Sequence, residues 1–458
     1  MSIEQYRAFI ASKGSLKDTV GMKPRGTSDV LKHHQRVSVE YALEKGRAAL
    51  FLDTGLGKSL CELEWARQVV DETRKPVLIL TPLAVAGQMI REGQKFGIEA
   101  RQVRDQSEIG GPGIYVANYE RLPKLDPETF GGIVLDESSI LKSFTGTTKR
   151  ALVEAFSGTP YRLAATATPA PNDHMEIGQH SEFLGIMPGP EMLSRWFISD
   201  QTTMGGYRLK GHAKPLFWAW VASWSRCATL PSDLGGDDTG YILKPIDRRL
   251  HEVAADRMAD KPEDELFRIP EMSATSFHKE KKLTLEARCA KAAELADTGK
   301  PVTVWCETNQ ESAILAGMID GAIEVRGDQS PEEKERRLLG FVDGEFRAIV
   351  TKPKLAGFGV NWQHCSHAVF ASISFSYEQH YQATRRSHRF GQTERVVNDI
   401  VFSDTERSVW DVVNRKSQDH AEMKEAMAKA MKSAQTESIL RVKYEKRNQL
   451  KLPEWMGV

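Results

Sequence analysis

Two series of short apolar runs set the strongest limit on how this chain can fold. The first comprises residues 48–53 (Ala-Ala-Leu-Phe-Leu-Asp), 77–81 (Val-Leu-Ile-Leu-Thr), 114–117, 132–136 (Gly-Ile-Val-Leu-Asp) and 161–166. The second comprises 302–306 (Val-Thr-Val-Trp-Cys), 322–325, 347–351, 368–373 and 396–402. Runs of this length, separated by segments long enough for a helix, predict strands buried on both faces of a parallel sheet. The expected class is α/β, with two lobes, because 458 residues exceed what one core accommodates. A turn-rich break at 232–240 and an acidic stretch at 256–265 place the lobe boundary between about 235 and 290. The expected layout is a segment 1–29, a first lobe 30–240 with a helical insertion at about 175–230, a linker 241–290, a second lobe 291–410 and a basic helical tail 411–458 packed on the second lobe.

Charge narrows the function classes. Lys plus Arg and Asp plus Glu each number 62, so contact with nucleic acid must use a local basic groove, and a histone-like coating role is disfavoured. The five cysteines (Cys61, Cys227, Cys289, Cys306, Cys365) lie far apart, which argues against a zinc site or a disulfide framework. No uncharged apolar run approaches spanning length and the first residues lack a leader pattern, so a soluble, cytoplasmic protein is expected. The Trp-rich stretch 216–226 reads as the buried face of a helix in preference to a base-stacking platform.

The chemistry sits at the ends of the predicted strands. Asp53-Thr54-Gly55-Leu56-Gly57-Lys58-Ser59 has the form of a phosphate-binding loop: glycines let backbone amides wrap phosphates, Lys58 neutralises their charge, and the Ser59 hydroxyl can ligate magnesium. The match is partial, since the full pattern places glycine where this chain has Leu52. Asp136 and Glu137 end a buried strand, where α/β sheets bind ligands. Asp136 can hold magnesium through water, and Glu137 can orient and deprotonate an attacking water. Thr166 and Thr168 supply hydroxyls beside that pair, and Arg386 and Arg389 can bring positive charge to a leaving phosphate from the opposite lobe. Taken singly, each has a bland alternative: a turn and helix cap for the loop, an acidic pair capping the next helix for Asp136-Glu137, a strand-ending turn for the threonines and a basic helix face for the arginines.

In this order and spacing, the motifs resemble the two-lobed motor of helicase superfamily two, specifically its Swi/Snf-like DNA translocase branch, over roughly residues 30–415. The branch-specific elements are Asp136-Glu137 followed by Lys142, Thr168-Pro169-Ala170-Pro171-Asn172, and Arg386-Ser387-His388-Arg389-Phe390-Gly391-Gln392. The resemblance implies two RecA-like lobes with an ATP cleft between them, and ATP and Mg2+ as cofactors. It assigns Gln35 to adenine, Gln382 to the terminal phosphate, and Gly357 and Gly359 to the element coupling DNA to ATP. Thr81, Pro82, Asn118, Tyr119 and Asn361 become nucleic-acid contacts. Ser138-Ser139 stands where the family usually has Ala-His, Met89 where it usually has tryptophan, and Arg385 where it is often acidic. The resemblance leads us to expect a compact motor without large accessory domains, similar to phage-type or bacterial members.

The implied activity is ATP hydrolysis driving movement along double-stranded DNA, with remodelling of DNA or protein–DNA complexes. Two alternatives stay open at this point: a helicase that separates DNA or RNA strands with the same site, and an ATP-gated DNA clamp or adaptor with little turnover.

Overall fold

A computed structural model describes residues 20–82, 85–142, 146–200, 206–254, 281–356 and 361–439. The first lobe is built on strands β1 (Arg47–Leu52), β2 (Val77–Thr81), β3 (Ala100–Gln102), β4 (Ile114–Asn118), β5 (Gly132–Asp136), β6 (Tyr161–Ala165) and, after an insertion carrying the ribbon β7 (Phe197–Asp200) and β8 (Gly206–Leu209), β9 (Ser225–Ala228). These seven form one sheet in the order β3-β4-β2-β5-β6-β1-β9, every pair parallel. The second lobe has a sheet β10-β15-β14-β11-β13-β12, also wholly parallel, from β10 (Asp247–Val253), β11 (Val302–Trp305), β12 (Ala322–Val325), β13 (Ala348–Thr351), β14 (His367–Phe370) and β15 (Val397–Ser403). The expected α/β class and both strand series are present.

Alternation along the strands explains the two-sided burial. Ala49 and Phe51 of β1 enter one apolar cluster with Leu78, Leu80, Ile133 and Leu135, while Ala48, Leu50 and Leu52 enter another with Val77, Ile79 and Val134. Each face is then covered by helices, as a parallel sheet requires. The insertion holds helices Ile177–Leu184, Gly189–Trp196 and Lys214–Trp224. In the last, Trp218 and Trp224 are buried, and Trp220 packs on Trp196 with ring centroids 4.6 Å apart, so the Trp-rich stretch is core.

Two placements differ from the expected layout. Strand β10 lies within the stretch 241–290 taken as linker, yet it pairs with β15 along its whole length and so belongs to the second sheet. Its charged residues masked it as a strand: it is an edge strand with exposed side chains at Arg248, Arg249, Leu250 and Glu252. The helix Arg407–Ile439 starts on the second lobe, where Val409 joins the core, but it ends on the first, with Met423, Met427 and Met431 in the cluster around Phe51 and Trp224. The tail is therefore shared by both lobes. Its basic residues from Arg441 onward lie outside the described residues, as do the segment 1–19, the acidic stretch 256–265, Gly357 and Gly359.

Candidate active site

Sheet order brings the first lobe's motifs together. Strand β6 lies between β1 and β5, so residues 53–59, Thr166 and the Asp136-Glu137 pair sit side by side along the carboxyl edge. The chain leaves β1 at Asp53, turns through Gly55 and Gly57 with φ of 92° and 79°, and enters the helix Lys58–Thr73. Positive φ at both glycines is the conformation in which a loop turns its amides toward an anion, and side chains rarely adopt it. Lys58 donates to the Leu52 carbonyl at 3.1 Å, at the base of the loop. Leu56 is fully buried in the core, which leaves only its backbone for a ligand.

Gln35 sits directly over the loop. Its amide donates to the Leu56 carbonyl at 3.1 Å and its oxygen accepts from the Lys32 amide at 2.9 Å. A Cβ at Gly57 would fall 2.1 Å from the Gln35 nitrogen. Beside it Lys32 lies 4.6 Å from the ring centre of Tyr241 and 4.3 Å from that of Phe390, and the two rings are 4.4 Å apart.

A carboxylate-rich floor lies behind Lys58. Burial pushes the Asp136 carboxyl up and the Glu137 charge adds to this, against the pull of Lys58. Glu62, one turn beyond Lys58 on the same helix face, is also raised, by burial first and by the Asp136 charge, against the pull of Lys58. Tyr119 donates to the Asp136 carbonyl at 2.7 Å. Ser59 bonds Glu92, whose carboxyl burial raises and Arg389 draws down. Glu137 itself has φ of 49°, a left-handed conformation that costs energy outside glycine and that concentrates at functional sites. The Asp136 carboxylate accepts from the Glu137 amide at 3.0 Å, and Thr166 donates to Glu137 Oε2 at 3.3 Å.

The second lobe closes over this floor. Arg386 is buried in the cleft and Arg389 half-buried beside it; desolvation lowers their basicity to about 9 and about 10 respectively, and the Glu137 charge opposes the fall in each. Arg386 donates to the Gln382 carbonyl and to its side-chain oxygen, both at 3.2 Å. Gln382 reaches the Thr168 hydroxyl at 3.5 Å, and that hydroxyl donates to Glu378 Oε1 at 3.3 Å. Phe390 presses on the loop 53–59, its amide nitrogen 2.9 Å from where a Gly55 Cβ would be. Lys58, Asp136, Glu137, Arg386 and Arg389, drawn from both lobes, thus share one interior.

Of the residues expected to meet nucleic acid, Pro82, Asn118 and Tyr119 line a cavity of about 580 Å³ between the lobes, with Arg104, Arg121, Lys334 and Lys354 on its walls. Asn361 lines a smaller one of about 180 Å³ nearby. The Thr81 side chain is wholly buried, so its hydroxyl does not face that cleft. Sequence reasoning missed Glu62, Tyr381 and Lys424. For Glu62 the signal was an acidic residue four positions after Lys58 inside an apolar helix face; the other two carried none.

Residues 286–391 match the family model described as the helicase conserved C-terminal domain, a stretch running from the first helix of the second lobe through the arginine pair. Among solved structures the chain is similar to a Sulfolobus solfataricus SWI2/SNF2 ATPase core in complex with double-stranded DNA, at 19% identity, covering 92% of this chain and 98% of that one, with a TM-score of 0.40. No curated protein matches the chain. Among the described residues no helix is long and apolar enough to cross a membrane.

Proposed function

We propose that this chain is an ATP-hydrolysing motor that moves along double-stranded DNA. The observation that carries the reading is the composite interior: a phosphate-type loop and an acidic pair on one lobe face Arg386, buried, and Arg389, half-buried, on the other. Such a site has its full set of groups only when the lobes close, which is what couples hydrolysis to motion. The helicase-type second lobe supports the same reading.

The residues present fit a nucleotide and its metal ion. Residues 54–58 would hold the phosphates and Gln35 would meet the base. Ser59 and Asp136 would hold magnesium, which neutralises phosphate charge when bound.

Within this frame Glu137 takes a proton from the attacking water, held in its left-handed turn by the Asp136 carboxylate and aimed by Thr166. Arg386 and Arg389 stabilise charge developing on the transferred phosphoryl group. Gln382, bonded to both Arg386 and Thr168, carries the state of the site between lobes. The preference for duplex DNA rests on the motif spacing from Asp136 to Lys142 and from Arg386 to Gln392. Contacts would go mainly to phosphates, giving little sequence specificity and strong salt dependence.

The deciding experiment compares ATPase rates with duplex DNA, single-stranded DNA and RNA, alongside triplex displacement and duplex unwinding. The expected result is strongest stimulation by duplex, falling as salt rises, with third-strand displacement and no strand separation. RNA as the better activator, or unwinding at rates comparable with turnover, would favour a strand-separating helicase instead.

A further inference from the structure

One carboxylate ties three parts of the chain to the phosphate loop. Asp53 opens that loop, and its Oδ1 accepts from the Thr54 amide at 2.7 Å and from the Tyr381 hydroxyl. Its Oδ2 lies 3.2 Å from Arg385 Nη2 and 3.0 Å from Lys424 Nζ, and Lys424 also donates to the Tyr381 hydroxyl at 3.0 Å. Burial alone would push the Asp53 carboxyl up; the Arg385 and Lys424 charges and the Tyr381 hydroxyl override it and hold the group far below its ordinary range. Asp53 and Lys424 are largely buried, their side chains 8% and 9% exposed, so a charge left unbalanced between them is costly.

The two cations do not have the same mount. Tyr381 and Arg385 belong to the second lobe, on the helix Tyr377–Thr384 and at its end. Lys424 sits on the helix Arg407–Ile439 between Met423 and Met427, both buried in the first lobe's core, and one turn further Met431 Sδ accepts from the Cys227 amide of β9 at 3.3 Å. If the cleft opens, Tyr381 and Arg385 depart with their lobe, while Lys424 remains seated beside β9 and β1.

We propose that Lys424 is a positioning residue for the nucleotide: it neutralises Asp53 while the cleft is open, so that the phosphate loop meets an incoming triphosphate without an uncompensated negative charge at its first residue. Arg385 and Tyr381 join Asp53 as the lobes close, which makes this carboxylate a sensor of closure placed at the entrance of the loop. Lys424 touches neither substrate nor metal and acts through Asp53 alone. The proposal rests on the ATP-site reading above.

The test measures binding of a fluorescent N-methylanthraniloyl ATP to the full chain and to its Lys424→Met, Lys424→Arg and Lys58→Ala variants, with KM and kcat for ATP alongside. Lys424→Met is expected to weaken nucleotide binding about tenfold, within the span of coupling measured for contacting groups, with the loss falling on KM more than on kcat. Lys424→Arg should recover most of it, and in an Asp53→Asn background the effect of Lys424→Met should shrink below about threefold. Equal affinities for Lys424→Met and the parent, or an effect unchanged in the Asp53→Asn background, would overturn the proposal. If the parent binds no nucleotide, the ATP-site reading fails separately, and hydrogen exchange of amides 53–59 in the nucleotide-free protein decides about Lys424. Exchange should rise in Lys424→Met and return in Lys424→Arg; equal exchange in all three proteins removes Lys424 from the loop.

Discussion

The Thr166 hydroxyl holds Glu137 at 3.3 Å, and two residues further on Thr168 bonds Glu378 on the opposite lobe, so the end of one strand touches both the acidic pair and the second lobe. Hydroxyls at this spacing can report the presence of a phosphate to both sides of the cleft. Their removal should therefore affect coupling before it affects binding. Thr168→Val is expected to keep ATP affinity and lower the stimulation of ATPase by duplex DNA roughly tenfold, a typical coupling magnitude. Stimulation equal to that of the parent would take Thr168 out of the relay.

Glu137→Gln preserves shape and the Thr166 bond but cannot take a proton from water. ATP binding should persist while turnover falls by roughly 10²–10⁴. Lys58→Ala should instead weaken nucleotide binding itself. Single-turnover hydrolysis measured beside equilibrium binding separates the two outcomes, and near-normal turnover in Glu137→Gln would assign proton transfer elsewhere.

Arg389→Ala is expected to lower hydrolysis on the order of a thousandfold and to leave duplex binding largely intact, because its charge acts mainly in the transition state. Arg386→Ala should lose hydrolysis comparably and additionally release Gln382. DNA affinity that falls as far as hydrolysis would mark these arginines as DNA contacts.

Glu62 gives a pH-dependent signature. Its carboxyl is raised above 4.5 by burial and by Asp136, so the folded protein retains a proton that the unfolded chain has released. Stability contributed by this group is present below about pH 4.5 and declines as pH rises toward the folded value. Glu62→Gln removes that decline. Thermal unfolding of the nucleotide-free protein should show the variant gaining about 1–3 kcal/mol over the parent at pH 8, with a smaller gain at pH 5. An equal gain at both pH values would mean that Glu62 does not hold a proton.

The central strands were legible because β1, β2 and β5 are buried on both faces, and burial of that kind writes continuous apolar runs. Two of the edge strands, β3 and β10, carry no such mark. Ala100–Gln102 exposes Arg101, and Asp247–Val253 alternates charges that look like a connector. The loop, the acidic pair and the arginine pair were legible because each needs particular residue types at fixed local spacing. Lys424 and Tyr381 were not, since their role arises from a helix that crosses between lobes and from a contact with Asp53 that no local pattern encodes.

The path of that crossing helix also bears on the order in which the chain can become a protein. Its 33 residues span about 50 Å at 1.5 Å per residue, and the first lobe's core is incomplete without Met423, Met427 and Met431 from its far half. A nascent chain that has emerged only through β10 would present an uncovered apolar trough beside Trp224 and Cys227, and β10 would still lack β15, the strand it pairs with. We expect both lobes to mature together, late in synthesis, and not one after the other. Stalled chains ending near residues 240 and 440 should differ sharply in protease resistance across the first lobe; equal resistance would show that the lobe matures on its own.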